Sequence, residues 1–165
     1  IDDAVIERQL GAFVEHYAAG MPGRSQPFDG ALACMDRFAQ AGWLMAVCTN
    51  KLEGLSRTLL TALGLADRFA AICGADTFAV RKPDPGHLTG TIDRAGGVVS
   101  RAVMVGDSGT DIDTARAAGI PVVAVDFGYA TKPVASLAPD RVISHFDALT
   151  VDLARTLTGM DGAAR

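Results

Sequence analysis

Val105-Gly106-Asp107-Ser108-Gly109-Thr110-Asp111 compresses the apolar end of a strand, a flexible turn and the polar start of a helix into one short stretch. Upstream, residues 102–105 are apolar and suit a strand. Downstream, residues 110–118 suit a helix, and residues 122–125, Val-Val-Ala-Val, form a second apolar run of strand length. A strand, a polar turn, a helix and another fully apolar strand make a crossover unit. Its strands run parallel and are covered by helices on both faces.

The same alternation extends outward in both directions. Helices are predicted over residues 29–40, 51–63 and 85–95, with Gly42, Gly64 and Gly96 placed to stop them. Asp29 is the expected cap of the first of these, which should bury Leu32, Met35 and Phe38. Strands are predicted over residues 43–48 and 70–73, with a short one near 142–143, and a final helix from about Phe146. The implied fold is α/β, a Rossmann-like parallel sheet with helices on both faces. Ahead of it, Ile6, Leu10, Phe13, Val14 and Tyr17 mark an amphipathic helix over residues 4–19, and the Gly- and Pro-bearing residues 20–27 read as a connection.

Composition narrows the function. The 165 residues, 49% of them hydrophobic, suffice for one domain with a substantial core. A formal net charge of −4 and a pI near 5.2 give no support to a nucleic-acid or anionic-membrane surface, so small solutes are the expected partners. Neither a bilayer-length apolar run nor a secretory leader is visible, which reads as cytoplasmic. Cys34, Cys48 and Cys73 are odd in number and set in apolar stretches, so they are expected as reduced, buried thiols and not as a metal cluster.

In open parallel sheets, ligands bind beyond the carboxyl ends of the strands. Polar signals sit at such ends: Cys48-Thr49-Asn50-Lys51, then Arg81-Lys82-Pro83-Asp84-Pro85, then Gly106-Asp107-Ser108 followed by Asp111. A hydroxyl, an amine and carboxylates suit a phosphoryl group beside a hard cation. Thr49 and the amides at the following helix start offer donors to phosphate oxygens, Lys82 offers a positive charge, and Asp107 offers an oxygen ligand. Each has a plainer use. Thr49 or Asn50 alone would more often cap a helix, Lys82 would be a solvated loop lysine, and Asp107 with Asp111 would answer a helix dipole. Their joint occurrence at successive strand ends favours phosphoryl chemistry. His87 is expected at a partly exposed helix start, and His16 and His145 have no partner motif. The spacing of Gly106, Gly109 and Gly119 does not match a dinucleotide fingerprint.

These motifs, in this order, resemble the second, third and fourth motifs of the haloacid dehalogenase superfamily, and in wording they are similar to its phosphoglycolate phosphatases. The resemblance spans roughly residues 10–149. It implies an enzyme with Mg²⁺ as cofactor and a small phosphorylated metabolite as substrate, 2-phosphoglycolate above others. It further implies that Thr49, Lys82 and Asp107 are the catalytic set. Thr49, Asn50 and Lys82 would bind the phosphoryl group, Asp107 would ligate the metal, and Ser108 and Asp111 would support that ligand or orient Lys82. Other sugar-phosphate phosphatases and phosphomutases of the superfamily share these motifs. A dehalogenase fits less well, since it has no use for the Mg²⁺-binding turn.

One part of the family pattern has no counterpart. Members begin with an apolar strand ending in Asp-x-Asp-Gly-Thr, whose first aspartate attacks phosphorus and whose second serves as acid and base. Asp2-Asp3 follows no strand, and Asp29-Gly30 lacks both the apolar run and the threonine. Because the chain starts at Ile1, the expectation is that about 60 to 75 upstream residues are missing from it, given typical capped-fold sizes. Residues 1–26 are then a remnant of a helical cap with its linker. Residues 27–165 form a core without its first strand, inactive alone, whose flanking strands are left unpaired or paired differently. A relative without the nucleophile, binding phosphate or a partner protein, is the alternative.

Overall fold

The computed structural model describes residues 20–130 and 132–160. The helix predicted over residues 4–19, and His16 with it, lies outside them. Among the described residues, β1 (Ala46–Cys48) pairs in parallel with β2 (Ala71–Cys73). A second parallel sheet has the order β3 (Met104–Gly106), β4 (Val122–Val125), β5 (Arg141–Ile143). The helices are α1 (Ala31–Gln40), α2 (Glu53–Ala62), α3 (Pro85–Arg94), α4 (Gly109–Ala117) and α5 (Val151–Leu157). None is long and apolar enough to cross a membrane.

Strand β4 shows why both faces must be covered. Its residues alternate sides: Val122 and Ala124 join Leu88, Met104 and Ile112 in one core, while Val123 and Val125 join Cys34, Ile143 and Leu149 in another. Helices α3 and α4 therefore close one face, and α1 and the region around α5 close the other. This is the doubly covered α/β arrangement that the apolar runs predict.

Several elements differ from expectation. Asp29 does not cap α1, because left-handed Gly30 (φ 75) holds the cap position with no side-chain bond. The Asp29 carboxylate instead lies 3.6 Å from His145 Nε2. Helix α1 buries Cys34 and leaves Leu32 41% exposed. Its rotation is fixed from the far end of the chain, where Arg37 Nη2 donates to the Phe146 carbonyl at 2.9 Å. The first strand covers residues 46–48 and not 43–48. The last helix is preceded by a separate 3₁₀ turn, Phe146–Ala148, and begins where Thr150 Oγ1 accepts from Leu153 N at 3.1 Å.

The most consequential feature is a gap. Strands β1 and β3 each have one described neighbour and do not pair with each other. A cavity of about 730 Å³ lies between them, lined by Val47 and Cys48 on one side, Met104 and Val105 on the other, and Phe38 and Ile92 above and below. Val105, in the middle of β3, is 39% exposed here. Both strands thus present an unpaired ladder edge to an apolar slot.

Ile112, 1% exposed, anchors α4 to β3 and β4. Replacing it with Ala should cost about 2–5 kcal/mol of stability. Denaturant unfolding checks this, and an unchanged midpoint would show that this core does not hold the fold.

Candidate active site

Thr49 follows β1 and Asp107 follows β3, and side-chain bonds through Asn50, Lys82 and Asp111 link these two strand ends. Their connection is polar and specific. Lys82 Nζ donates to Asp111 Oδ1 at 2.5 Å, and these side chains are only 9% and 7% exposed. Asn50 Nδ2 donates to the Lys82 carbonyl at 2.9 Å. The rim beyond β1 is thereby tied to the rim beyond β3, across the top of the slot.

Asp111 is fully occupied by this arrangement. Its Oδ2 accepts from the Asp107 and Ser108 amides, both at 3.2 Å, and from the Ser108 hydroxyl at 2.7 Å. Ser108 Oγ in turn accepts from Asp111 N, completing a reciprocal cap at the start of α4. With one oxygen on Lys82 and the other on the turn, Asp111 is placed to orient the lysine. Gly106 is essential to the fit, since a Cβ there would meet Asp111 Cβ, Cγ and Oδ2, each at 2.5 Å.

Thr49 and Asn50 are not helix caps. Leu52 holds the cap position of α2 without a side-chain bond. Thr49 Oγ1 instead accepts from Lys51 N at 3.1 Å, which fixes its oxygen at the rim. The helix-start amides expected to face phosphate are partly taken, because Glu53 N donates to Asp76 Oδ1 at 2.7 Å.

His87 is the clearest correction at the site. It is completely buried, not partly exposed, because α3 packs its first turn over the ends of β1 and β2. Its Nε2 meets the Gly74 carbonyl at 2.8 Å and must carry the proton there, since a carbonyl only accepts. Nδ1, 3.3 Å from Cys48 Sγ, then accepts from the thiol. Burial pushes the Cys48 thiol up from its ordinary value, against the pull of nearby Lys82, and so keeps this S–H a donor. The pair pins the residue preceding Thr49.

Asp107 is held by residues that sequence reasoning missed. Its Oδ2 accepts from the Tyr129 amide at 2.7 Å. Gly128 permits that approach, as a Cβ there would stand 2.2 Å from Asp107 Cβ. The signal was a further strand end, the residues after β4, whose Asp126-Phe127-Gly128-Tyr129 carries no obvious phosphate chemistry. One carboxylate oxygen of Asp107 is thus held by the backbone, and the other could serve as an oxygen ligand. A single hard oxygen donor suits a cation that keeps most of its waters and takes the rest of its ligands from phosphate, as Mg²⁺ does. Among the described residues no group of three or more His, Cys, Asp or Glu forms a self-contained cage.

A Gly106→Ala substitution should displace Asp111 and cost about 1–3 kcal/mol, as overpacking does. Denaturant unfolding should show the midpoint falling, and wild-type stability would contradict the close fit at Gly106.

Comparison with known proteins places the fold in a family. The model of the haloacid dehalogenase-like hydrolase family matches residues 3–125. The phosphoglycolate phosphatase of Mesorhizobium japonicum is 59% identical over 95% of this chain and 69% of its own length. That of Agrobacterium fabrum is 48% identical over 99% of this chain and 70% of its own. A predicted phosphoglycolate phosphatase from Haemophilus somnus 129pt superposes with a TM-score of 0.78 at 27% identity, covering 86% of this chain and 62% of that one. The chain therefore spans about two thirds of the length of these relatives. The doubly covered parallel sheets and a family match over most of the sequence converge on one placement: the chain belongs to the haloacid dehalogenase-like hydrolase family.

Proposed function

We propose that the protein acts in the Mg²⁺-dependent hydrolysis of a small phosphomonoester, 2-phosphoglycolate, to glycolate and phosphate. The observation that carries this reading is the Lys82–Asp111 pair, which links the lysine, itself tied to Asn50, to the Asp107–Ser108 turn. One Nζ proton is engaged by Asp111, and the others are donors toward a phosphoryl group. The Thr49 hydroxyl and the Asn50 region supply neutral donors beside it, and Asp107 is the residue that would hold Mg²⁺. The cation would add charge neutralisation on the phosphate. The choice of 2-phosphoglycolate is supported by the names of the relatives.

Bond making needs a nucleophile, which we assign to a strand that fills the slot between β1 and β3. Two open ladder edges, each belonging to a parallel sheet, and a mainly apolar lining call for a parallel, apolar strand. If that strand ends in Asp-x-Asp-Gly-Thr, its first carboxylate is delivered to the rim. That carboxylate bonds to phosphorus as the bond to the glycolate oxygen breaks, and the second carboxylic acid gives the leaving oxygen its proton. Water then cleaves the aspartyl phosphate, releasing phosphate and restoring the carboxylate. In this reading residues 27–165 are the core around the slot and residues 1–26 belong to the cap.

The test is turnover of 2-phosphoglycolate by the 165-residue chain alone and after fusion to an N-terminal segment that supplies an apolar strand ending in Asp-x-Asp-Gly-Thr. The chain alone should be inactive. The fusion should turn over with Mg²⁺ and lose at least ~10²-fold in kcat on Lys82→Met, the usual scale for removing one preorganised electrostatic contact. Robust hydrolysis by the chain alone, or a folded fusion indifferent to Lys82→Met, would refute the proposal.

A further inference from the structure

Two aromatic residues at the rim have no role in the core or in the proposed chemistry. Tyr129 is 86% exposed and Phe28 is 40% exposed. Their rings meet at 5.8 Å between centroids. Phe28 also meets Phe127 edge-on at 5.4 Å, and Phe127 meets Phe146 at 5.2 Å, which ties the group to the core beneath α1. Large exposed rings gain little from burial, so their contact needs another account.

The backbone supplies one. Residues 126–130 form neither helix nor strand. Asp126 is anchored to β5 by its amide, on the Ile143 carbonyl at 3.1 Å, and by its carboxylate, on the Ser144 hydroxyl at 2.6 Å. Beyond that point, the described attachments are the Phe127 and Tyr129 rings and the Tyr129 amide on Asp107 Oδ2. The Phe28–Tyr129 contact is therefore one of the few attachments of the residue whose amide holds the carboxylate.

We infer that Phe28 and Tyr129 are positioning residues for Asp107: their ring contact holds the Tyr129 amide on one carboxylate oxygen and so presets the other for a divalent cation. Phe28 lies in the segment leading into α1, so the placement of that segment is coupled to the readiness of the cation ligand. The inference rests on the reading of Asp107 as a metal ligand. Hydrogen-bond partners of metal ligands commonly change affinity by about 10- to 100-fold.

The experiment measures Mn²⁺ binding to the 165-residue chain by the loss of the free-ion EPR signal, with unfolding midpoints as a check on fold. Wild type should bind, and Asp107→Asn should bind at least about tenfold more weakly. Tyr129→Pro, which removes the amide proton, should weaken binding about tenfold, on the scale of a charge-assisted hydrogen bond. Phe28→Ala and Tyr129→Ala keep that proton and should weaken binding about threefold, on the scale of an aromatic pair, with midpoints unchanged. Wild-type affinity in Phe28→Ala and Tyr129→Ala, with Asp107→Asn impaired, overturns the inference and leaves the metal reading standing. No binding by wild type, or none lost in Asp107→Asn, overturns both. If Tyr129→Pro does not fold, the two alanine variants still decide.

Discussion

The buried ion pair between Lys82 and Asp111 is the interaction on which the rim depends. Removing a lysine and a carboxylate from water is costly, and the cost is met only where both are closely paired and their remaining groups are bonded. Here Asp111 is satisfied on every side by Lys82, Ser108 and the Asp107 amide. The pair also solves a problem of architecture. Strands β1 and β3 do not pair with each other, and the chain Asn50, Lys82, Asp111 links their ends.

That bridge gives the slot its meaning. An apolar cavity flanked by two open ladders is an unstable design for a finished sheet, because it exposes pairing edges and apolar surface together. Roofed by the polar bridge, the slot is mainly apolar along its walls and polar at its mouth.

Much of this was legible in the chain. Val122 to Val125 reads as a doubly covered strand because every residue is apolar, and the structure buries all four. Gly42 and Gly64 both mark the helix ends they were expected to mark. Local signals failed where distant residues decide. The rotation of α1 depends on Arg37 reaching Phe146, and the burial of His87 depends on Gly74 and Cys48. At the site, residue types at strand ends identified Thr49, Lys82 and Asp107 as candidates. The support from Gly128 and Tyr129 was hidden because a backbone amide has no signature in a sequence.

The central claim is that Lys82 and Asp111 act as one unit. A double-mutant cycle with Lys82→Met and Asp111→Leu, followed by denaturant unfolding, tests it most directly. Each single change leaves a buried charge without its partner and should cost about 3–5 kcal/mol, while the double variant should recover much of that loss. Additive losses, with the double variant as unstable as the sum of the singles, would contradict the account.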